Sequence, residues 1–467
     1  MDFTSHPQIV IDGMNLALPQ GTGIATYGRN LCSAITALGA SVGVLYGRPI
    51  HARDGLLREV TFSDSLEQRT PRWLKRLKTW TALPPALAGV RAEEIPQSGA
   101  VVAEEFAQLP LVDQILNVPN LFQLAYSYFD AFGSRLKVRV PNPPKVMHWT
   151  YPVPIQVVGA KNIYTMHDLV PLRLPNTTLD KKKRYLSLVR MLARSSDHIV
   201  TVSEASRRDI VNLLGVEEHH VTNTYQCIDL PASASTRNEE EVRREVEGIF
   251  GLEHHGYFLF YGAIEPKKNV NRLIQAYLSS GVEAPLVILG KHGWKCEQEL
   301  ALLQFDDMRA ALAQRRSDSH ADPAADSDQI SHSDADRPDG GCRRCGRIIQ
   351  IDYVASALVM SLVQGAKAVL FPSLYEGFGL PVLEAMSLGA PVITSTTSSL
   401  PELAGDAAIL VDPYNPQDIA EALRRIDADS EPRRELARRG LHQARRFSKE
   451  AYQARLRELY RQLGVSF

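Results

Sequence analysis

The chain has 467 residues, 44% hydrophobic and 22% charged, with 52 Lys+Arg against 53 Asp+Glu and a formal net charge of -1. That composition leaves room for two or three domains, and its charge balance excludes a global field that would select nucleic acid or a membrane as partner. No apolar run is long enough to cross a bilayer, Met1 to Ser5 lacks a signal pattern, and the 5 cysteines are too few and odd in number for a disulfide framework, so a cytoplasmic protein is expected.

Gln8 to Ile11 reads as a first strand, followed by a loop through Gly21-Thr-Gly23-Ile24 and a helix from Ala25 to about Leu38. A glycine-containing loop between the first strand and first helix is where doubly wound sheets bind ligands. The loop is not a G-x-G-x-x-G fingerprint, which disfavours a dinucleotide-dependent dehydrogenase. Across 51–140 few elements are legible. Arg69-Thr-Pro-Arg-Trp-Leu-Lys-Arg-Leu-Lys-Thr-Trp80 alternates basic residues with tryptophan and leucine. This pattern suits either an anionic membrane surface or an amphipathic helix with a solvated basic face.

Lys145 to Trp149 and Asn162 to Met166 read as strands, the second running into His167-Asp168-Leu-Val-Pro171. Histidines at strand C-termini stand where α/β sheets bind ligands, which singles out His167 and, less directly, His148. Asp197 to Val202 is a further strand, with Ser203 capping a helix over Glu204 to Leu214 that Gly215 closes. The polar run Pro231 to Glu241 reads as a connection between domains.

A second doubly wound domain begins at Tyr257 to Tyr261. It continues through Gly262-Ala-Ile-Glu-Pro-Lys267-Lys268-Asn269 into a helix from Val270. Two adjacent cations at a strand end suit a diphosphate. Pro285 to Gly290 is another strand. From Asp306 to about Arg344 the chain is polar and rich in Asp and Ser, which predicts a disordered insertion. Within it, Asp326-x-Asp328 and Asp334-x-Asp336 sit on no strand end and so do not read as a metal site. Cys342-x-x-Cys345, with His320 or His332, offers only an incomplete zinc spacing. Arg347 to Ile351 and Ala355 to Gly365 then give a strand and a helix.

The most informative stretch is Phe371-Pro-Ser-Leu-Tyr-Glu376-Gly377-Phe378-Gly379-Leu380-Pro-Val-Leu-Glu384. Ala368 to Phe371 is a buried strand, Pro381 suits the start of a helix, and Gly389 suits its end. The glycines of the turn let the backbone approach a ligand and present amides at the helix N-terminus, as a phosphate requires. Glu384 lies one helical turn beyond Leu380 and can face back to whatever the turn holds. The tail from Asp418 to Leu463 is helical and basic.

Pro-Ser-x-x-Glu-Gly-Phe-Gly, the helix Glu384 and the following Gly-Ala-Pro-Val-Ile-Thr394 resemble the donor site of the retaining glycosyltransferases of family 4. Thr165-Met-His167-Asp-Leu169 and Glu265-Pro-Lys-Lys268-Asn269 are similar to further segments of that family, which has Arg in one version where Lys267 stands. The resemblance implies a GT-B fold: two doubly wound, Rossmann-like α/β domains facing across a cleft. It divides the chain into an acceptor-side domain over 1–240 and a donor-binding domain over 241–445, with 306–344 inserted. A helix over 446–467 crosses back to the first domain.

The resemblance also implies roles. Lys267, Lys268 and the amides of Gly377 to Leu380 would meet the diphosphate, Glu376 the transferred sugar, Glu384 the ribose and His167 the reacting centre. Gly23 and Tyr27 would touch donor and acceptor. The expected reaction is transfer of a hexose with retained configuration from a nucleoside diphosphate sugar, GDP-mannose first, to a hydroxyl of a saccharide or polyprenyl-diphosphate-linked acceptor. It belongs to cell-surface or exopolysaccharide synthesis. Peripheral membrane contact through 69–80 is allowed, nucleic acid is not a partner, and no obligatory metal or other cofactor is indicated. The alternatives are a nucleotide-sugar 2-epimerase on the same fold and a non-catalytic nucleotide-sugar-binding partner.

Overall fold

Short aliphatic runs, each long enough for one buried strand, alternate with amphipathic helices along most of the chain, and this alternation builds parallel sheets covered on both faces. The computed structural model describes residues 7–16, 23–50, 55–63, 83–98, 112–230, 237–303 and 342–467. The segment 69–80, Gly21, and Asp326, Asp328, Asp334, Asp336, His320 and His332 lie outside the described residues. The chain divides into two compact units, Met1–Asp229 with Phe447–Phe467, and Leu230–Arg446.

The first unit contains β1 (Ile9–Asp12), β2 (Val42–Tyr46), β3 (Val90–Arg91), β4 (Glu93–Ile95), β5 (Gln114–Asn117), β6 (Leu136–Arg139), β7 (Val146–Trp149), β8 (Ile155–Val157), β9 (Lys161–Thr165), β10 (His198–Thr201) and β11 (Val221–Asn223). Its 8-stranded sheet runs β11-β10-β9-β7-β1-β2-β5-β4, and β3-β6-β8 form a separate 3-stranded sheet. All pairs of the larger sheet are parallel except β4 with β5. The strand order turns between β1 and β7, so the C-terminal ends of those two strands flank the switch point where open α/β sheets hold ligands. Ile9, Ile11, Val146, Trp149 and Tyr164 are fully buried around it.

The second unit contains β12 (Phe258–Tyr261), β13 (Leu286–Leu289), β14 (Cys342–Cys345), β15 (Ile348–Ile351), β16 (Ala368–Phe371), β17 (Val392–Ser395) and β18 (Ile409–Val411), in the order β14-β15-β13-β12-β16-β17-β18. The switch point lies between β12 and β16. Cys342–Cys345 is an antiparallel edge strand paired with Ile348–Ile351, so the expected insertion ends before Cys342 rather than at about Arg344. The C-x-x-C pair belongs to a hairpin whose turn is closed by Gly346 at φ 59. The tail folds as three helices, Pro416–Ala428, Ser430–Ala444 and Lys449–Gln462, and the last belongs to the first unit, where Tyr452 and Tyr460 are fully buried. Among the described residues no helix is long and apolar enough to cross a membrane. Cys32, Cys227 and Cys296 are free and buried.

Close approach of backbone explains one glycine above all. A Cβ on Gly290, just past β13, would lie 1.8 Å from the carbonyl oxygen of Gly262, just past β12. By contrast Gly248, inside the helix Glu239–Phe250, has open space around it. Gly290→Ala is therefore expected to destabilise the fold by about 1–3 kcal/mol, as overpacking does, while Gly248→Ala stabilises it by roughly 0.5–1 kcal/mol through helix propensity. Urea unfolding midpoints of the two variants check the pair.

Candidate active site

In the second unit the site is assembled from the segments that leave β12 and β16. After β12 a single 3-10 turn, Pro266–Lys268, ends at Asn269, whose left-handed backbone (φ 64, ψ 33) starts the helix Val270–Ser280. Asn269 tolerates that conformation better than most residues. Its Nδ2 donates to the carbonyls of Pro372 at 3.0 Å and Pro413 at 2.7 Å. The N–H of Leu374 donates to the carbonyl of Lys267 at 2.8 Å. These bonds sew the lysine turn to the turn that carries Glu376.

Lys268 Nζ then reaches Glu376 Oε1 at 2.7 Å, and Lys267 Nζ stands 3.5 Å from Oε2. The Lys268 ammonium also lies 4.5 Å from the centroid of the Phe371 ring, a cation–π placement. Both Glu376 and Lys268 are nearly buried, at 8% and 13% side-chain exposure. Burial alone would raise the Glu376 carboxyl, but the two lysines outweigh it and hold the group below its ordinary value. Burial, reinforced by Lys267, pushes Lys268 down.

The Thr394 to Ser399 run, of which only Thr394 belongs to the family-like motif, organises the same turn. Thr394 Oγ1 donates to the Phe371 carbonyl at 2.9 Å, Ser395 Oγ to that of Ser373 at 2.7 Å, and Thr397 Oγ1 to that of Leu374 at 3.0 Å. Ser399 Oγ bridges the carbonyls of Glu376 and Phe378, and Ser398 Oγ accepts the Glu376 N–H at 2.9 Å. In a trans peptide the N–H points opposite to the C=O. Anchoring the Glu376 and Phe378 carbonyls on Ser399 thus turns the amides of Gly377 and Gly379 to the other side. Gly379 adopts φ 114 immediately before the helix Leu380–Ser387, with Pro381 in its first turn. On that helix Glu384 Oε2 lies 3.1 Å from the Tyr261 hydroxyl, which also donates to the Pro381 carbonyl at 2.8 Å. Burial raises the Glu384 carboxyl, partly offset by Tyr261 and Lys268. The two carboxylates of the motif are therefore driven in opposite directions by their surroundings.

In the first unit three strand ends converge. Asp12, the last residue of β1, is fully buried; its carboxylate accepts the N–H of Thr150, just past β7, and that of Met14 at 3.2 Å. Burial raises the Asp12 carboxyl, and the amides oppose this. The carbonyl of Thr150 accepts Nε2–H of His167 at 2.9 Å, so Nδ1 carries the lone pair. Tyr27 packs edge-on to the imidazole with ring centroids 4.7 Å apart, and Ser206 Oγ donates to the His167 carbonyl at 2.8 Å. Burial lowers the His167 pKa, favouring the neutral ring.

His148 does not share this place. It is fully buried inside β7, bonded to the Tyr460 hydroxyl at 2.7 Å and to Thr165 Oγ1 at 2.9 Å, and burial pulls its pKa down to about 3. It is a core histidine, and the positional expectation for it is corrected. Tyr27 is also fully buried, its hydroxyl 3.0 Å from Thr165 Oγ1, so it supports His167 instead of covering a ligand. Gly23 opens the helix Gly23–Ala37 with nothing within 4 Å of an added Cβ. Ser203 caps its helix by accepting the Ser206 N–H at 3.0 Å. Asp12, Asn269, Tyr261 and the Ser/Thr run were missed as site residues; a polar residue at a strand end was the one signal available for Asp12.

The sequence pattern of the glycosyl transferases group 1 matches residues 347–443, and that of glycosyltransferase family 4 matches 21–231. The O-antigen chain mannosyltransferase B of Escherichia coli is 30% identical over 62% of this chain and 67% of its own length. The chain belongs to the group 1 glycosyltransferases. The serotype-specific mannosyltransferase WbdA of Escherichia coli is 25% identical over 64% of this chain, which spans 33% of that longer protein. Among solved structures, the sucrose-phosphate synthase of Thermosynechococcus elongatus superposes with a TM-score of 0.61 at 15% identity, covering 98% of this chain and 99% of that one. HepE of Anabaena, in complex with UDP and glucose, superposes with 0.57 at 14% identity, covering 98% and 100%. The two doubly wound units of this glycosyltransferase are those of the GT-B fold.

Two expectations follow for the glycosyltransferase. Because Glu376 is held below its ordinary value of 4.5, its contribution to stability is complete above that pH and is lost as pH falls through the lower folded value. Unfolding midpoints of Glu376→Gln and the parent, compared from pH 7 down to pH 3, should therefore converge in acid (the pH range is about that of a carboxylate). Asp12→Asn keeps the shape but replaces one acceptor by a donor facing the Thr150 N–H, and should lower kcat with little change in donor KM. Equal loss in KM and kcat, or no loss, would remove Asp12 from the His167 support.

Proposed function

We propose that this glycosyltransferase is a retaining mannosyltransferase using GDP-mannose, with a saccharide or polyprenyl-diphosphate-linked hydroxyl as acceptor, in cell-surface or exopolysaccharide synthesis. The observation that carries the reading is the Glu376 carboxyl set 2.7 Å from Lys268 Nζ and 3.5 Å from Lys267 Nζ at the β12/β16 switch point, beside the oriented glycine turn. The mannosyl assignment is supported by the relatives named mannosyltransferases.

A retaining transfer has to stabilise an oxocarbenium-like sugar together with a departing diphosphate. In this reading Lys267, Lys268 and the amides of Gly377 to Leu380 take the diphosphate, since fixed cations and N–H dipoles stabilise developing charge without reorganising. The Glu376 carboxylate receives sugar hydroxyls, and its negative charge favours a positive anomeric carbon. Glu384, anchored by Tyr261, binds the ribose hydroxyls. His167, carried over from the family resemblance together with Gly23, serves the reacting centre with a neutral ring. The reading includes no obligatory metal, because the lysines supply the countercharge, and it keeps peripheral contact with anionic lipid through 69–80.

The test pairs binding with turnover. GDP should raise the melting midpoint more than UDP, with an increment of about 2.7 kcal/mol at a hundred times Kd, and Glu384→Ala should lose most of it. Glu376→Ala should keep the GDP increment and lose transfer on the order of 10²–10³-fold. The anomeric configuration of the transferred sugar, read by NMR, should match that of the donor. A preference for UDP overturns the donor, an inverted anomer overturns retention, and release of an isomerised free sugar without acceptor points to the 2-epimerase.

A further inference from the structure

We propose that Glu239, His254 and His255 form a zinc-type divalent-metal site in the second unit, separate from the transferase machinery. The metal-ligating atoms of these three side chains all lie within 4.8 Å of one another. Two imidazoles and a carboxylate are a donor set suited to zinc and similar transition metals, with a fourth position left for water.

The local backbone explains why two adjacent histidines share one side. Neighbouring residues of an extended chain point to opposite faces. Here Gly256 N–H donates to the Glu253 carbonyl at 2.8 Å, closing a turn, and His255 within it has φ 58. The left-handed residue folds the two rings together, with centroids 3.9 Å apart at 49°. His255 N–H is held by the Gly365 carbonyl at 2.7 Å, and its Nδ1 faces the Ala366 carbonyl at 3.3 Å. A backbone carbonyl on Nδ1–H fixes the tautomer that presents Nε2 as a ligand, the outer-shell arrangement common to metal-bound histidines. His254 is nearly buried, and its Nδ1 stands 4.0 Å from Glu239 Oε1.

Glu239 lies at the start of the helix Glu239–Phe250, which a capping box of Asn238 and Glu241 holds in place. Its side chain is 72% exposed and also meets Arg243 Nη2 at 3.4 Å, a weak surface contact that a metal would displace. Ligands at zinc distances in a tetrahedron are roughly 3.4 Å apart; with the three ligand atoms within 4.8 Å of one another, closure asks for about 1 Å of movement, to which the exposed Glu239 side chain can contribute. A bound ion would clamp the start of this helix to the turn before β12. That turn is at the N-terminal end of β12, whereas Lys267, Lys268 and Glu376 follow the C-terminal ends of β12 and β16.

Zinc titration of the chelator-treated full chain, with a thermal midpoint at each step, tests the site. One zinc per chain and a raised midpoint are expected, and His254→Ala and His255→Asn should each weaken binding at least about tenfold. Asn tolerates the left-handed backbone, so His255→Asn separates ligand loss from misfolding. Cobalt should give the intense visible bands of a tetrahedral ion in the parent and not in the variants. Cys342→Ser with Cys345→Ser should leave zinc binding intact, and neither histidine variant should change transferase turnover. No uptake at millimolar zinc, or equal uptake by parent and histidine variants, overturns the site.

Discussion

The candidate site of the second unit is arranged around one carboxylate kept charged where water is scarce. Removing a carboxylate from water costs several kcal/mol unless partners replace the lost hydration. Glu376 meets this constraint with two lysines, and the lysines can reach it because Asn269 ties their turn to Pro372 and Pro413. Each of these residues follows a strand end, so the ion pair requires β12, β16 and β18 to hold a fixed register. The pair is weak grounds for extra stability, since a well-packed apolar substitute would often do as well. In the proposed reading, this nearly buried charge is the one kept for the ligand.

The same constraint explains why serine and threonine crowd the end of β17 and the segment that follows it. A turn that aims amides at a ligand must put its carbonyls elsewhere, and buried carbonyls need donors. Hydroxyls from Thr394 to Ser399 supply them in a small volume without adding charge. A lysine or arginine in that run would have donated as well, but it would have competed for Glu376. The opposite drift of Glu376 and Glu384 follows from this economy of cations: the lysines stand on Glu376, while the nearest donor to Glu384 is the neutral Tyr261 hydroxyl. Separate environments for two carboxylates are how one site divides two tasks.

The sequence carried the second unit well because its elements are strongly marked. Ala368–Phe371 is a continuous apolar run between Gly and Pro, and the Gly377 to Glu384 segment has both a sharp turn and a helix start. Between Leu38 and Lys145 few elements are legible in the sequence, although β2, Val-Gly-Val-Leu-Tyr, is wholly buried and β6 alternates buried and exposed residues. Those strands are short, and the pairing that identifies them, β2 against β1 and β6 against β8, is not local. The Ser/Thr run was opaque for another reason. Its composition is that of any loop, and only the positions of the carbonyls opposite give it a task.

His148 and His167 show the limit most sharply. Both stand at or near the end of a parallel strand, and position along the chain cannot separate them. His148 is still within β7, so the alternation of side chains about the sheet decides its direction, and it faces Tyr460 and Thr165 in the core. His167 follows β9 by two residues, beyond the last pairing to β7, where its direction is set by the Thr150 carbonyl. That carbonyl is itself positioned through the Thr150 N–H on Asp12. The orientation of one imidazole thus requires three strand ends to be in place. A residue-by-residue reading finds each of them as a separate fragment, while the function of any one appears only when the sheet order β9-β7-β1 sets them side by side.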